Sequence, residues 1–237
     1  MAEKQVITEV QDTSSEDVVV KAKDFWARFS KPIIYAGSAI IVLGGAWFGY
    51  KYLVKEPNEA KAAEMIFPAE TLFDKMTQAG FNKDSINLVL NGGAGLTGGV
   101  LKVANSYGST AAGNRAHFIA GVCYLNSKDF NNAVKHLKDF STDATQVQAA
   151  AYSLLGDAYS ELKKNDDAMD NYKKAAAVNT KDEFLTPQYL YKAGLFAEAT
   201  GKTKEAIELY QRIKDEFPNS AHGPEMDKYL ARLGEVK

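Results

Sequence analysis

Cysteine occurs once in the 237 residues, as Cys123, and histidine three times, as His117, His136 and His222. One cysteine excludes an internal disulfide, and three histidines scattered along the chain show no metal-ligand spacing. Charge of one sign is also missing. Lys+Arg 28 against Asp+Glu 30 leaves a net charge of -2, which offers the phosphates of a nucleic acid no general attraction. The 46% of apolar residues excludes a disordered chain and can supply a real core.

Charge is absent altogether from Ile33 to Tyr50, "IIYAGSAIIVLGGAWFGY", between Lys31 and Lys51. With Leu53 and Val54 added, the run reaches about twenty residues, which at ~1.5 Å each covers a hydrocarbon core of roughly 30 Å. It reads as a transmembrane helix over residues 32–54. Phe25, Trp26 and Phe29 before it and Trp47, Tyr50 and Tyr52 at its other end fit aromatic belts at the two interfaces. A cleaved signal peptide is a poorer fit, because some thirty residues, many of them charged, precede the run and it exceeds the usual h-region of about 7–15 residues. A buried core helix would carry a polar stripe, and none is present.

Lys21, Lys23, Arg28 and Lys31 precede the span, while Lys51, Lys55 and Lys61 follow it among Glu56, Glu59 and Glu64. This bias places residues 1–31 in the cytoplasm and residues 55–237 across the membrane, in the periplasm if the source is bacterial. Within the span, Gly45 and Gly49 form a G-x-x-x-G pair with Ser38 on the same face, so a second helix could approach closely there. Glycine is also common in membrane helices for no such reason.

Beyond residue 110 three segments keep register: Gly121/Ala133/Leu137, Gly156/Ala168/Tyr172 and Gly194/Ala206/Tyr210. Their spacing is close to the 34 residues of a tetratricopeptide repeat. Where two helices of a hairpin cross tightly a small residue must stand, and the bulky one fills the space beside it. No unit buries its face alone, so the units stack. "NSKD", "KKND" and "TGKT" supply the turns, and Pro218 closes the third unit. The expected fold is all-α: repeats at about 114–145, 149–180 and 187–218, a degenerate repeat at about 59–110, and a capping helix at about 223–236. In the degenerate unit Glu59 to Ala79 forms the first helix, with Ala63, Ile66, Phe67, Leu72 and Met76 apolar and Pro68 kinking it or marking its start. Leu101 to Tyr107 forms the second.

Between those helices "SINLVLNGGAGLTGGVLKV" contains Gly93-x-Gly95-x-x-Gly98 after an apolar run. A dinucleotide site would also need a second strand and an acid some 20 residues on, and "ANSYGSTAAGNRAHF" offers neither. The segment reads as a flexible loop, packed on the next repeat by Leu88, Val89 and Leu90.

No catalytic pairing emerges, so no enzyme activity and no cofactor are expected. Cys123 reads as a buried small hydrophobe, and His117 and His136, if they meet across the hairpin, have no third ligand and make a weak case for a metal. What remains is a binding surface. The tetratricopeptide family lines its groove with the first helix of each pair. By register this gives Arg115, Phe118, Val122 and Asn126, then Ser153, Asp157 and Ser160, then Gln188, Tyr191, Leu195 and Glu198. The Lys and Asn of the family's carboxylate clamp are replaced by Phe118, Val122, Ser153 and Asp157, so that clamp is absent.

The short tail, the span, "FPAETLFDK", "NLVLNGG", "AHFIAGVCYL", "LLGDAYSEL" and "YQRIKDEFPNSA" together resemble the YfgM-like family of membrane-anchored tetratricopeptide proteins. The resemblance implies a bacterial inner-membrane protein with a periplasmic domain. It further implies an ancillary subunit of the SecYEG translocon, paired with a membrane-anchored periplasmic prolyl isomerase-like chaperone and receiving exported client proteins. A scaffold for envelope assembly or cell division would share the anchor and the repeats.

Overall fold

The computed structural model describes residues 13–93, 95 and 98–235, so the first twelve residues of the expected tail and Val236 of the expected cap lie outside the described residues. The chain forms two compact units, Met1–Glu56 and Pro57–Lys237.

In the first unit α1 runs over Thr13–Tyr50, with Pro32 inside it, and passes into a π-helical turn at Lys51–Lys55. It is long and apolar enough to cross a membrane, and none of its apolar window is buried against protein. A water-exposed surface this apolar would be costly, whereas lipid accepts it. Helix starts well before the apolar run, since Thr13–Lys31 are already helical. Gly45 and Gly49 face open space, where an added Cβ would meet nothing within 4 Å.

The second unit is built from α2 (Glu56–Ala79), α3 (Lys83–Asn91), α4 (Val100–Tyr107), α5 (Ala111–Asn126), α6 (Phe130–Asp139), α7 (Thr145–Glu161), α8 (Asn165–Ala177), α9 (Leu185–Ala199), α10 (Thr203–Glu216), a 3₁₀ turn (Gly223–Glu225) and α11 (Met226–Arg232). Three hairpins, α5/α6, α7/α8 and α9/α10, repeat one contact. A Cβ on Gly121 would stand 2.5 Å from Leu137 Cγ; on Gly156 and Gly194 it would stand 2.4 Å from Cε1 of Tyr172 and of Tyr210. Only glycine fits such a crossing, and the bulky partner fills it from the other helix.

Each hairpin turns through the same left-handed residue, Lys128 (φ 64), Lys163 (φ 59) and Gly201 (φ 75). The following amides then return to the first helix: Asp129 to Tyr124 O, Lys164 to Tyr159 O and Lys202 to Ala197 O, at 2.8–3.0 Å. This is the 6→1 closure of a Schellman motif. Ala206, Tyr210 and Ile213 lie fully buried in a cluster that α11 completes with Met226 and Leu230.

The first core differs from expectation in three places. Pro68 lies inside α2, which neither begins nor ends there. Its buried face is Ala62, Ile66, Ala69 and Met76, whereas Ala63 is exposed and Phe67 is 67% exposed. That buried set follows the i, i+4, i+7, i+14 stripe of one helix face; Ile66 and Met76 lie on it as expected and Leu72 packs beside it, whereas Ala63 and Phe67 each stand one position past it. The segment read as a flexible loop is largely α3, capped by Asn82, whose side chain accepts from the Ser85 amide at 2.9 Å. Ile86, Val89 and Leu90 are buried at helical spacing, while Leu88 is not among the buried residues. A Cβ on Gly99 would stand 2.2 Å from Leu90 O, so this glycine lets the start of α4 lie against the end of α3. The cap is also shorter than expected, a 3₁₀ turn and seven residues of α11.

Candidate functional site

α5 begins at Thr110, whose side chain accepts from the Gly113 amide at 2.9 Å. From this fixed start Asn114 and Arg115 project from one turn and Phe118 from the next. Asn114 holds the chain beyond α6 by two hydrogen bonds: its Nδ2 donates to Ser141 O at 2.8 Å, and the Ser141 amide donates to its Oδ1 at 3.1 Å. The Thr142 amide donates to Gln148 Oε1 at 2.8 Å, tying the same connection to α7.

The clamped connection places Phe140 against Phe118, ring centroids 5.0 Å apart. Together with Phe73 of α2, Ile119 and Val147 these rings wall a cleft of about 320 Å³. Val147 is 40% exposed, so one wall is open to solvent. Glu70 and Asp74, one turn apart on α2, stand at the rim with Arg115, whose Nε donates to Glu70 Oε1 at 2.7 Å. The site is apolar inside and polar at its edge, the usual build of a binding pocket.

The predicted groove residues do not gather at one site. Arg115 and Phe118 line the cleft. Val122 and the exposed Asn126 lie further along α5, where Asn126 Nδ2 donates to the Val122 carbonyl at 2.9 Å. Asp157 bridges repeats instead: Tyr172 OH donates to it at 2.7 Å, and Lys192 Nζ donates at 2.8 Å both to it and to the buried Ser153 Oγ. Burial and the neighbouring carboxylate raise the pKa of the Tyr172 phenol. Tyr191 is covered by the cap, stacked on His222 at 4.1 Å and hydrogen bonded to Tyr229. Glu198 accepts from Tyr210 OH at 2.6 Å and from Arg232 Nη2 at 2.6 Å. Ser160 and Gln188 are half-buried, and Leu195 is 39% exposed.

Beyond Arg115 and Phe118 the sequence reading missed the lining: apolar Phe73, Ile119, Phe140 and Val147, and polar Glu70, Asp74, Asn114 and Thr142. Phe140 had a signal: it stands three residues after Leu137, as Ala175 and Ile213 stand after Tyr172 and Tyr210, and all three are buried. Elsewhere, the Nδ1 atoms of His117 and His136 lie 3.2 Å apart, and Asp139 Oδ2 is 3.8 Å from His117 Nδ1. Among the described residues no group of three or more His, Cys, Asp or Glu could hold a metal ion. Cys123 is fully buried, and burial pushes its thiol up to about 12.

Stacked helical hairpins carrying an apolar cleft define a protein-interaction domain. Residues 149–182 and 188–220 each match a tetratricopeptide repeat model, so the chain carries tetratricopeptide repeats. A crystal structure of MamA protein resembles it at 22% identity and a TM-score of 0.51, over 73% of this chain and 85% of that one. A second crystal structure of MamA has 22% identity and a TM-score of 0.48, over 69% of this chain and 85% of the other. At this identity the likeness is one of fold. No curated protein matches the chain.

Proposed function

We propose that this chain is a non-enzymatic, single-pass inner-membrane protein whose tetratricopeptide domain lies in the periplasm. It serves as an ancillary subunit of the SecYEG translocon, works beside a membrane-anchored prolyl isomerase-like chaperone, and receives exported polypeptides. The family resemblance of the sequence suggests these partners, and the lysine bias around α1 suggests the orientation.

One observation carries the reading: an apolar cleft, framed by two hydrogen bonds between Asn114 and Ser141, on a repeat stack whose chain also contains an apolar helix long enough to span a bilayer. Such a protein can hold an unfolded segment close to a membrane, and it needs no chemistry to do so. Purification of the full chain in mild detergent, with identification of the co-eluting proteins, tests this. Translocon subunits and a periplasmic isomerase are expected. Recovery of division or outer-membrane assembly proteins in their place would transfer the function to an envelope scaffold.

A further inference from the structure

The cleft has a charge asymmetry that specifies its ligand more closely than an apolar wall alone. Glu70 and Asp74 share one edge of α2, and Arg115 is the cation among the lining residues. Arg115 is already engaged by Glu70, which leaves Asp74, exposed and with no ion pair among the described residues, as the uncompensated charge at the rim. The interior is walled by three phenylalanines, Ile119 and Val147, and at about 320 Å³ it is at the small end of ligand pockets. That volume suits one or two side chains of an extended segment. A folded surface or a whole helix would not enter it.

We propose that the cleft selects extended polypeptide segments in which an aromatic or large aliphatic side chain is followed within a residue or two by lysine or arginine. This rests on the reading above that the domain receives unfolded chain. The apolar side chain enters between Phe73, Phe118 and Phe140, and the neighbouring cation stays in solvent beside Asp74. Burial of the apolar group supplies most of the affinity, and the exposed charge pair supplies selectivity.

The experiment uses the full chain in lipid nanodiscs and three labelled twelve-residue peptides, each with a central Phe-Leu pair flanked by lysine, by serine or by glutamate. Fluorescence anisotropy should rank them lysine, serine, glutamate, with about a threefold gap between the extremes, as for an exposed ion pair, and 0.5 M salt should close it. Asp74→Lys should reverse the order. Phe118→Ser, and Val147→Asp at the exposed wall where folding is secure, should weaken all three about tenfold or more. If binding depends on Phe118 or Val147 but the peptides bind alike and Asp74→Lys is silent, the charge selection is overturned and the apolar receptor stands. If no peptide shows binding sensitive to either wall variant, selection and receptor role both fall. If the cleft is filled by a second copy of the chain, peptide binding will decline with protein concentration, and the proposed occupant is wrong.

Discussion

The histidine pair in the α5/α6 hairpin should make the stability of the repeat domain depend on pH in a calculable way. His117 and His136 face each other Nδ1 to Nδ1 at 3.2 Å, so one must donate and the other accept, and protonating both sets two N–H groups against each other. Tyr124 stacks on His136 at 5.5 Å. Burial first, then His117 and Lys135, lower the His136 pKa from 6.5 to about 4, with Asp139 opposing. Burial, again opposed by Asp139, also lowers that of His117. A folded-state value below the unfolded one means that the neutral pair contributes fully above pH ~6.5 and that this contribution is lost as pH falls toward ~4. At ~1.4 kcal/mol per pKa unit the full loss from His136 is about 3 kcal/mol, of which about 2 falls between pH 7 and 4.5. Urea unfolding of the domain from Pro57 onward, measured at those two pH values, gives the wild-type loss. His136→Asn, which carries the residue of the equivalent position Asn171, should lower stability at pH 7 yet lose about 2 kcal/mol less on acidification. Equal losses in the two proteins would refute the reasoning, because the carboxylates common to both would then account for the whole effect.

Gly156→Ala should destabilise by about 1–2 kcal/mol in urea melts, because the clash with Tyr172 outweighs the gain in helix propensity, and an unchanged melt would mean that the Tyr172 ring can move aside at no cost. Lys163→Gly should be stabilising by about 0.5 kcal/mol in the same assay, since the left-handed turn residue is strained for lysine and Gly201 already occupies the matching place. Gly45→Leu with Gly49→Leu should reduce recovery of partners from detergent while leaving membrane insertion intact; undiminished recovery would mean that no helix packs closely on that face. Because the Cys123 thiol is buried and stays protonated, an added surface cysteine can report topology without background: a cysteine at Lys204 should react with an impermeant maleimide in spheroplasts, and labelling only after lysis would reverse the orientation.

How much could be read in advance follows from how tightly contact constrains residue type. Gly121, Gly156 and Gly194 were readable because an approach of 2.4–2.5 Å admits no side chain, so the crossing leaves a fixed mark in the sequence. α3 was hidden because Ile86, Leu88, Val89 and Leu90 form a short apolar run that satisfies strand and helix periods alike; the decisive sign was the Asn82 cap. The cleft was half readable. Arg115 and Phe118 follow from register, and Phe140 could have, since it matches Ala175 and Ile213; Phe73 arrives through the degenerate unit, where register gives no guide. Tyr191 satisfied every local criterion for a groove residue, and only the return of the chain at His222 and Tyr229 covers it.

The hairpins pack on their neighbours in sequence, α5 with α6, α6 with α7, α7 with α8, α8 with α9 and α9 with α10. Order of delivery therefore matters little to such a chain, since a polypeptide emerging from its N-terminal side can lay down each hairpin on the one before it. The wall of the cleft comes from residues 70–147 and is finished before α9, α10 or α11 exists. The aromatic cluster of Tyr191, Tyr210 and Tyr229 has the opposite timing, because its last ring sits in the final helix. A nascent chain exposed only as far as about residue 180 would thus already contain every wall of the cleft while still lacking all three of those tyrosines.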